Sequence, residues 1–211
     1  MSDIVKLTTQ ASIFIQALSG VFGIKGIVTK VPESKKVLVN VLKLEMVVTA
    51  IQLAFYIGLY KFFDLATMAT RRYFDWFITT PIMIVSMAMY YVYESKKTFR
   101  YKHSLLQMIV ANFVMLLAGY LAETGHLNRV AALGIGFAAF AFVFKKLYDE
   151  YRTEESDDLF KLLTSVWALY GVGFMFPEVP KNIIYNGLDL ISKNFFAFFL
   201  YKKIVDGRSS P

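Results

Sequence analysis

Seven apolar stretches, separated by short polar connections, most limit what this chain can fold into. They fall at 4–27, 36–62, 73–94, 103–122, 127–150, 158–176 and 182–202. Most reach the roughly 20 residues that an α-helix needs to cross a hydrocarbon core. A span with its connection takes about 30 residues, so the chain accommodates about seven and little else. Composition agrees. The 211 residues are 56 % hydrophobic and 18 % charged, where an ordinary soluble domain carries roughly 45–50 % and about 25 %. So little charge would not cover a water-soluble globule of this size. The expected fold is one all-α integral membrane domain over residues 1–211, a bundle of seven transmembrane helices.

The connections decide orientation. Lysine and arginine cluster at 25–36, 96–102, 145–152 and 202–208, against Lys61, Arg71, Arg129 and Lys181 on the opposite side. The basic side is cytoplasmic by the positive-inside rule, which puts the N-terminus outside and the C-terminus in the cytoplasm. The net charge of +7 is thereby topology, and no nucleic-acid partner is expected. Met1-Ser2-Asp3 has no basic n-region, so no removable signal peptide is expected. The absence of cysteine excludes disulfides, zinc–thiolate sites, iron–sulfur clusters and palmitoylation.

Charge within a span costs about 2.5–3.5 kcal/mol at a helix centre even on the lenient insertion scale, so each ionisable residue there needs a reason. Four stand out: Glu45 in the second span, Asp75 in the third, and Asp189 and Lys193 in the seventh, with Arg72 near Asp75. Asp189 and Lys193 are four residues apart and share one helix face. They read either as a structural ion pair or as a buried amine that forms a Schiff base with a carbonyl ligand and needs a carboxylate beside it. Asp75, Thr79 and Ser86 share a second stripe. Pro81 should kink that helix, with the Thr79 and Thr80 hydroxyls taking up the freed backbone groups. Packing between helices accounts for the threonines but not for an aspartate beside an arginine. On the sixth span Trp167, Tyr170 and Phe174 form an aromatic face, either core or, with glycines opposite, the wall of a pocket for something flat that Trp76 closes. No nucleophile–base constellation appears, and no enzymatic activity is expected.

The run Arg72-Tyr73-Phe74-Asp75-Trp76-Phe77-Ile78-Thr79-Thr80-Pro81 resembles the third-helix signature of microbial rhodopsins, Arg-Tyr-x-Asp-Trp-x-x-Thr-Thr-Pro. Asp189-Leu190-Ile191-Ser192-Lys193 resembles their seventh-helix Asp-x-x-x-Lys, and Trp167-x-x-Tyr170 their sixth-helix retinal cage. The resemblance implies all-trans retinal bound covalently to Lys193, with Asp75 and Asp189 as counter-ions and Arg72 steadying both. It implies that Trp76, Thr79, Thr80, Trp167, Tyr170 and Phe174 line the polyene. Asn112, Met115 and Gly119 of the fourth span, with Gly136 and Phe140 of the fifth, would contact the ring.

Departures from the pattern carry the functional expectation. Pumps of the family hold a carboxylate at the third position of the third-helix triad; here it is Ser86, whose hydroxyl does not release a proton near neutral pH. Lys181 stands where efficient pumps are acidic, which leaves Glu178 as the acid of that loop. Gly171 replaces the usual sixth-helix proline. Meanwhile Ser12, Gln16 and Ser19 form a polar stripe on the first span, and Glu45, Thr49 and Gln52 another on the second. Asn194 follows the lysine in the seventh. Polar residues in a span face a cavity or another helix. The stripes are either interhelical glue or the lining of a hydrated path through helices 1, 2, 3 and 7. Glu45 is either a pore carboxylate favouring cations or a protonated acid bonded to Ser12 or Asn194. The Asp-Thr-Ser triad and the Ser12/Glu45/Asn194 set resemble the group-one viral rhodopsins, light-gated cation channels. That implies an ion pathway or gate at Ser12, Gln16, Glu45, Ser86 and Asn194. The partners are then membrane lipid, small monovalent cations and protons, and a second copy of the chain in so far as family members are often homo-oligomers. A slow outward proton pump and a photosensor are the alternatives.

Overall fold

A computed structural model describes residues 2–96 and 103–206. Among the described residues the chain is helical, with no strand. Six helices run in order: α1 (Ser2–Ile27), α2 (Lys36–Lys61), α3 (Leu65–Glu94), α4 (His103–Glu123), α5 (Arg129–Glu150) and α6 (Asp157–Phe174). The seventh span has three consecutive pieces: α7 (Glu178–Asp189), a π-helical stretch over Leu190–Phe195, and α8 (Phe196–Asp206). The seven-helix bundle is therefore formed as expected. Lys97, Arg100, Lys102 and Arg208, on which the orientation partly rests, lie outside the described residues.

The first helix is polar on its inner face and apolar on its outer face, the inverse of an amphipathic helix on a soluble core. On α1 the buried side is Thr9, Ser12, Gln16, Ser19, Gly23 and Gly26, while Leu7, Phe14 and Val21 are exposed. In lipid this is the stable arrangement, because an apolar side chain outside costs nothing and a polar one would. Gly23 permits the tight α1–α2 contact: a Cβ there would lie 1.8 Å from Met46 Sδ. The chain is an integral, multi-pass membrane protein.

Two boundaries differ from the apolar pattern, and both differences bear on the site. α3 begins at Leu65, not at 73. Asp64 caps it, accepting from the Ala66 N–H at 3.1 Å and the Thr67 hydroxyl at 2.7 Å. The Thr67 bond holds the Asp64 carboxyl below its ordinary pKa. The extra turns carry Arg71 and Arg72 into the helix, and Arg72 is fully buried. Hydropathy alone places an arginine at a helix edge; interior partners keep this one inside. The seventh span likewise begins at Glu178, with Pro177 as N-cap and Pro180 in the first turn. A missing N–H costs nothing there.

Pro81 sits within α3. Thr79 and Thr80 donate to the carbonyls of Asp75 (2.9 Å) and Trp76 (2.7 Å). These stand two and one residues short of the Phe77 carbonyl that Pro81 frees, so the expected repair is not what the two hydroxyls make.

α1 through α5 are each long and apolar enough to cross a membrane on their own. α6, with Asp157, Asp158 and Lys161 near its start, and the divided seventh span are not among them. Beyond Ser86 and Glu45, toward the C-terminal end of the bundle, the interior turns apolar: Leu38, Leu42, Tyr90, Tyr91 and Leu200 belong to one buried cluster.

Candidate functional site

Lys193 is buried inside the π-helical stretch. A π-turn admits one extra residue and is frequent at functional sites. The Lys193 Nζ donates to Asp75 Oδ2 of α3 at 3.0 Å and to Asp189 Oδ1 of α7 at 3.1 Å. A buried ammonium needs such compensation, since an unpaired charge in this medium costs several kcal/mol.

The two aspartates are not equivalent. Asp189 accepts from five side chains: Lys193, Tyr56 (2.7 Å), Tyr170 (2.8 Å), Arg72 (3.3 Å) and the Trp76 indole (3.3 Å). Asp75 has Lys193 alone, and its Oδ1 has no hydrogen-bond partner. Arg72 does not steady both acids by direct contact, as the resemblance implied. Its Nη1 bonds Asp189 and the Tyr56 hydroxyl (2.8 Å), its Nε bonds Asn182 (3.2 Å), and its Nη2 donates to Asn186. Its long side chain reaches from α3 across to α7 and to Tyr56 of α2, where these partners take up its N–H groups.

Beside Lys193 lies a cavity. Its wall includes Trp76, Thr80, Met115, Gly119, Gly136, Phe140, Trp167, Tyr170 and Phe174 of the sequence-derived set, together with Lys193. Thr79 and Asn112 do not line it. Thr79 is turned to the α3 backbone, and Asn112 lies behind Thr80, donating to its hydroxyl at 2.8 Å. The wall also takes Tyr73, a motif residue given no role from the sequence, and Met83, Leu116, Phe137, Tyr185 and Ser192, which the motifs did not mark. Trp76 meets Tyr170 and Tyr185 edge-on, with ring centroids 5.3 and 5.1 Å away. The wall is aromatic, the one cation stands at its end, and Gly119 keeps room: a Cβ there would lie 2.4 Å from the Tyr73 hydroxyl oxygen. A long flat apolar aldehyde condensing with Lys193 fits this shape and chemistry.

Tyr56, Asn182 and Asn186 were missed by sequence reasoning. The asparagines had a signal: Asn182, Asn186, Asp189 and Lys193 step by four, three and four residues along one face. Tyr56 had none, because its role depends on how α2 meets α7.

The polar stripes occupy the interior toward the C-terminal end. Ser12, Gln16, Ser19, Glu45, Thr49, Gln52, Ser86 and Asn194 are all buried. Glu45 does not bond Ser12 or Asn194, the two partners the sequence offered. The Ser86 hydroxyl donates to its Oε1, because α2 and α3 pack closely at that level. The side-chain polar atoms of Gln16, Gln52 and Asn194, the hydroxyls of Ser19 and Thr49, and Glu45 Oε2 have no hydrogen-bond partner. Toward the N-terminal end, Lys181 is fully buried and donates to Glu123 (2.9 and 3.0 Å) and Glu178 (2.8 Å). Glu178 is thus joined by a second acid, brought from the end of α4, and Arg129 bonds Glu123 at 2.9 Å.

Comparison with known proteins agrees with this geometry. The green-light absorbing proteorhodopsin of Gamma-proteobacterium EBAC31A08 is 23 % identical over 158 residues, 66 % of this chain and 62 % of that protein. The halorhodopsin of Halorubrum sodomense is 28 % identical over 151 residues, 64 % of this chain and 52 % of that protein. The chain thus spans less than two thirds of the length of these relatives. Among solved structures, the viral rhodopsin OLPVRII superposes with a TM-score of 0.88 at 26 % identity, covering 96 % of this chain and 98 % of that one. The family model for bacteriorhodopsin-like proteins matches residues 7–206, and the chain belongs to that family, the microbial rhodopsins, which bind retinal covalently through a lysine.

Proposed function

We propose that this protein is a light-gated cation channel in which Lys193 carries the retinal, Asp75 and Asp189 balance its charge, and the ion path runs along α1, α2, α3 and the seventh span. One observation carries the reading: the run of buried polar side chains from Gln16, Gln52 and Asn194 to Glu45, most with polar atoms that no protein group satisfies. Leaving such atoms bare costs about 1–3 kcal/mol each. Water, and a cation attracted by Glu45, are the partners that remove this cost. Ser86, at the position where pumps of the family hold a carboxylate, supports the same reading.

Bound at Lys193 within the wall of Trp76, Trp167 and Tyr170, retinal would supply absorption of visible light and a photoisomerisation. The protein residues do the rest. Asp75 is the acid placed to take a proton from the Lys193 nitrogen, because its Oδ1 is unpartnered while Asp189 already accepts from five donors. The charge pair between α3 and the seventh span is then gone. Arg72 stays with Asp189, Asn182 and Asn186. The apolar layer of Leu38, Leu42, Tyr90 and Tyr91 has to part before ions pass from Glu45 to the cytoplasm.

Whole-cell recording under illumination tests this. The expected result is a photocurrent whose reversal potential follows the monovalent cation gradient, altered or lost in Glu45→Gln with the visible absorption kept. Outward current at every voltage assigns the protein to the proton pumps instead. In that case Glu45, bonded to Ser86, is the carboxyl nearest the missing donor's place. A coloured protein without current is a photosensor.

A further inference from the structure

The cavity beside Lys193 is closed along the bundle axis. Toward the N-terminal end Phe174 lines it, with the Arg129 guanidinium 5.2 Å from the ring centroid and the Lys181, Glu123 and Glu178 cluster at that level. Toward the other end Met83 and Trp167 close it against the large apolar cluster. Sideways, between α5 and α6, Phe137 and Gly171 form part of the wall. The lining residues are buried or half-buried with one exception: Phe137 of α5 lines the cavity and is 36 % exposed on the lipid-facing surface.

The Phe137 ring rests on Gly171 of α6, where a Cβ would come within 2.7 Å of its Cζ. It meets Phe140 edge-on at 6.0 Å. Gly136, adjoining it on the rim, adds no side chain, and around Gly134 nothing lies within 4 Å of a Cβ position. A phenyl ring has no hydrogen bond to hold it, so its closed position rests on packing against a glycine and one neighbouring ring. Such a ring turns about its side-chain bonds without moving the helices.

We propose that the cavity is loaded sideways from the bilayer, through a port between α5 and α6 that Phe137 closes. The ligand is a membrane-dissolved apolar polyene aldehyde. Such a molecule partitions into lipid rather than water, and the port is the route that spares it the charged N-terminal end. Once it is inside, the Lys193 nitrogen bonds the aldehyde carbon and the carbonyl oxygen leaves as water. This rests on the reading of Lys193 as the retinal lysine.

The test uses the full chain, coloured with retinal in lipid nanodiscs, bleached in the dark with hydroxylamine, washed, and supplied again with all-trans retinal. The rate at which visible absorbance returns is the readout. Phe137→Ala is expected to recover about tenfold faster than wild type, the effect of lowering one barrier by about 1.4 kcal/mol, and Phe137→Trp more slowly. Phe113→Ala removes a ring on α4 that is 40 % exposed but does not line the cavity, and should recover at the wild-type rate. Wild-type rates for both Phe137 variants overturn the port, as does equal acceleration in Phe113→Ala. If Phe137→Ala does not fold, Phe137→Leu takes its place against Phe137→Trp. A wild-type protein that never becomes coloured rejects the retinal reading itself; a coloured one with unchanged rates rejects the port alone.

Discussion

The polar interior divides into two regions built on opposite terms. Around Asp189, two cations, two tyrosines and an indole converge on one carboxylate. From Gln16 and Gln52 to Glu45, side chains of comparable polarity are buried with donors and acceptors left over. The first region is saturated, and therefore rigid and costly to disturb. The second is under-satisfied, and therefore fit to exchange partners with water or an ion. Polar groups in a membrane interior serve either structure or passage, and hydrogen-bond saturation separates the two uses.

The comparison can be broken most decisively at its centre. Lys193→Ala removes the one buried amine beside the cavity. The expected result is complete loss of visible absorbance after addition of all-trans retinal. Next in size, Asp189→Asn leaves Arg72 and Lys193 short of a buried charge partner. It should destabilise by about 3–5 kcal/mol, read as an earlier thermal bleaching midpoint. Asp75→Asn disturbs one donor instead of five and should cost clearly less. Equal losses would mean that the asymmetry between the two acids has no energetic content.

The under-satisfied region should respond in the opposite sense. Gln52→Leu removes a donor and an acceptor that have no partner, so stability should stay within about 1 kcal/mol of wild type or rise. The photocurrent should fall severalfold. A large drop in stability would show that Gln52 is structural. The smallest effect belongs to a site outside both regions. Asp64→Ala deletes the α3 cap and should lower thermal stability slightly at neutral pH. The carboxyl's folded pKa is lowered, so its contribution is present above the ordinary aspartate pKa and is lost as pH falls through the folded value. The difference between wild type and variant should vanish in acid.

Much of the site was legible because its key pairs lie within single helices. Asp189 and Lys193, or Trp167, Tyr170 and Phe174, are set on one face by the helical repeat alone. Where the structure differs from the sequence reading, the partner comes from another helix. One of the two readings of Glu45 bonded it to Ser12 or Asn194; it bonds Ser86. Arg72 was assigned to both acids and bonds Asp189, two asparagines and a tyrosine. Glu178 remains the acid of its loop, and Glu123 joins it from the end of α4. The apolar stretch of the third span begins at 73 and α3 begins at Leu65, because hydropathy does not register the turns that carry Arg71 and Arg72.

The chain by itself thus determined seven spans, the faces that turn inward, the lysine and its two acids, and the family. The spans and their inward faces follow from hydropathy and from a period of 3.6 residues, both of which are local; the family, and with it the pairing of the lysine with two acids, follows from the resemblance of the motifs. Only the tertiary structure decided which acid is surrounded by donors and which keeps an unpartnered oxygen, which polar atoms lack partners, and that Phe137 of the cavity wall rests on Gly171 with part of its ring exposed. These depend on the rotation and level of each helix against its neighbours. Packing between helices sets them, and no spacing along a single helix encodes them.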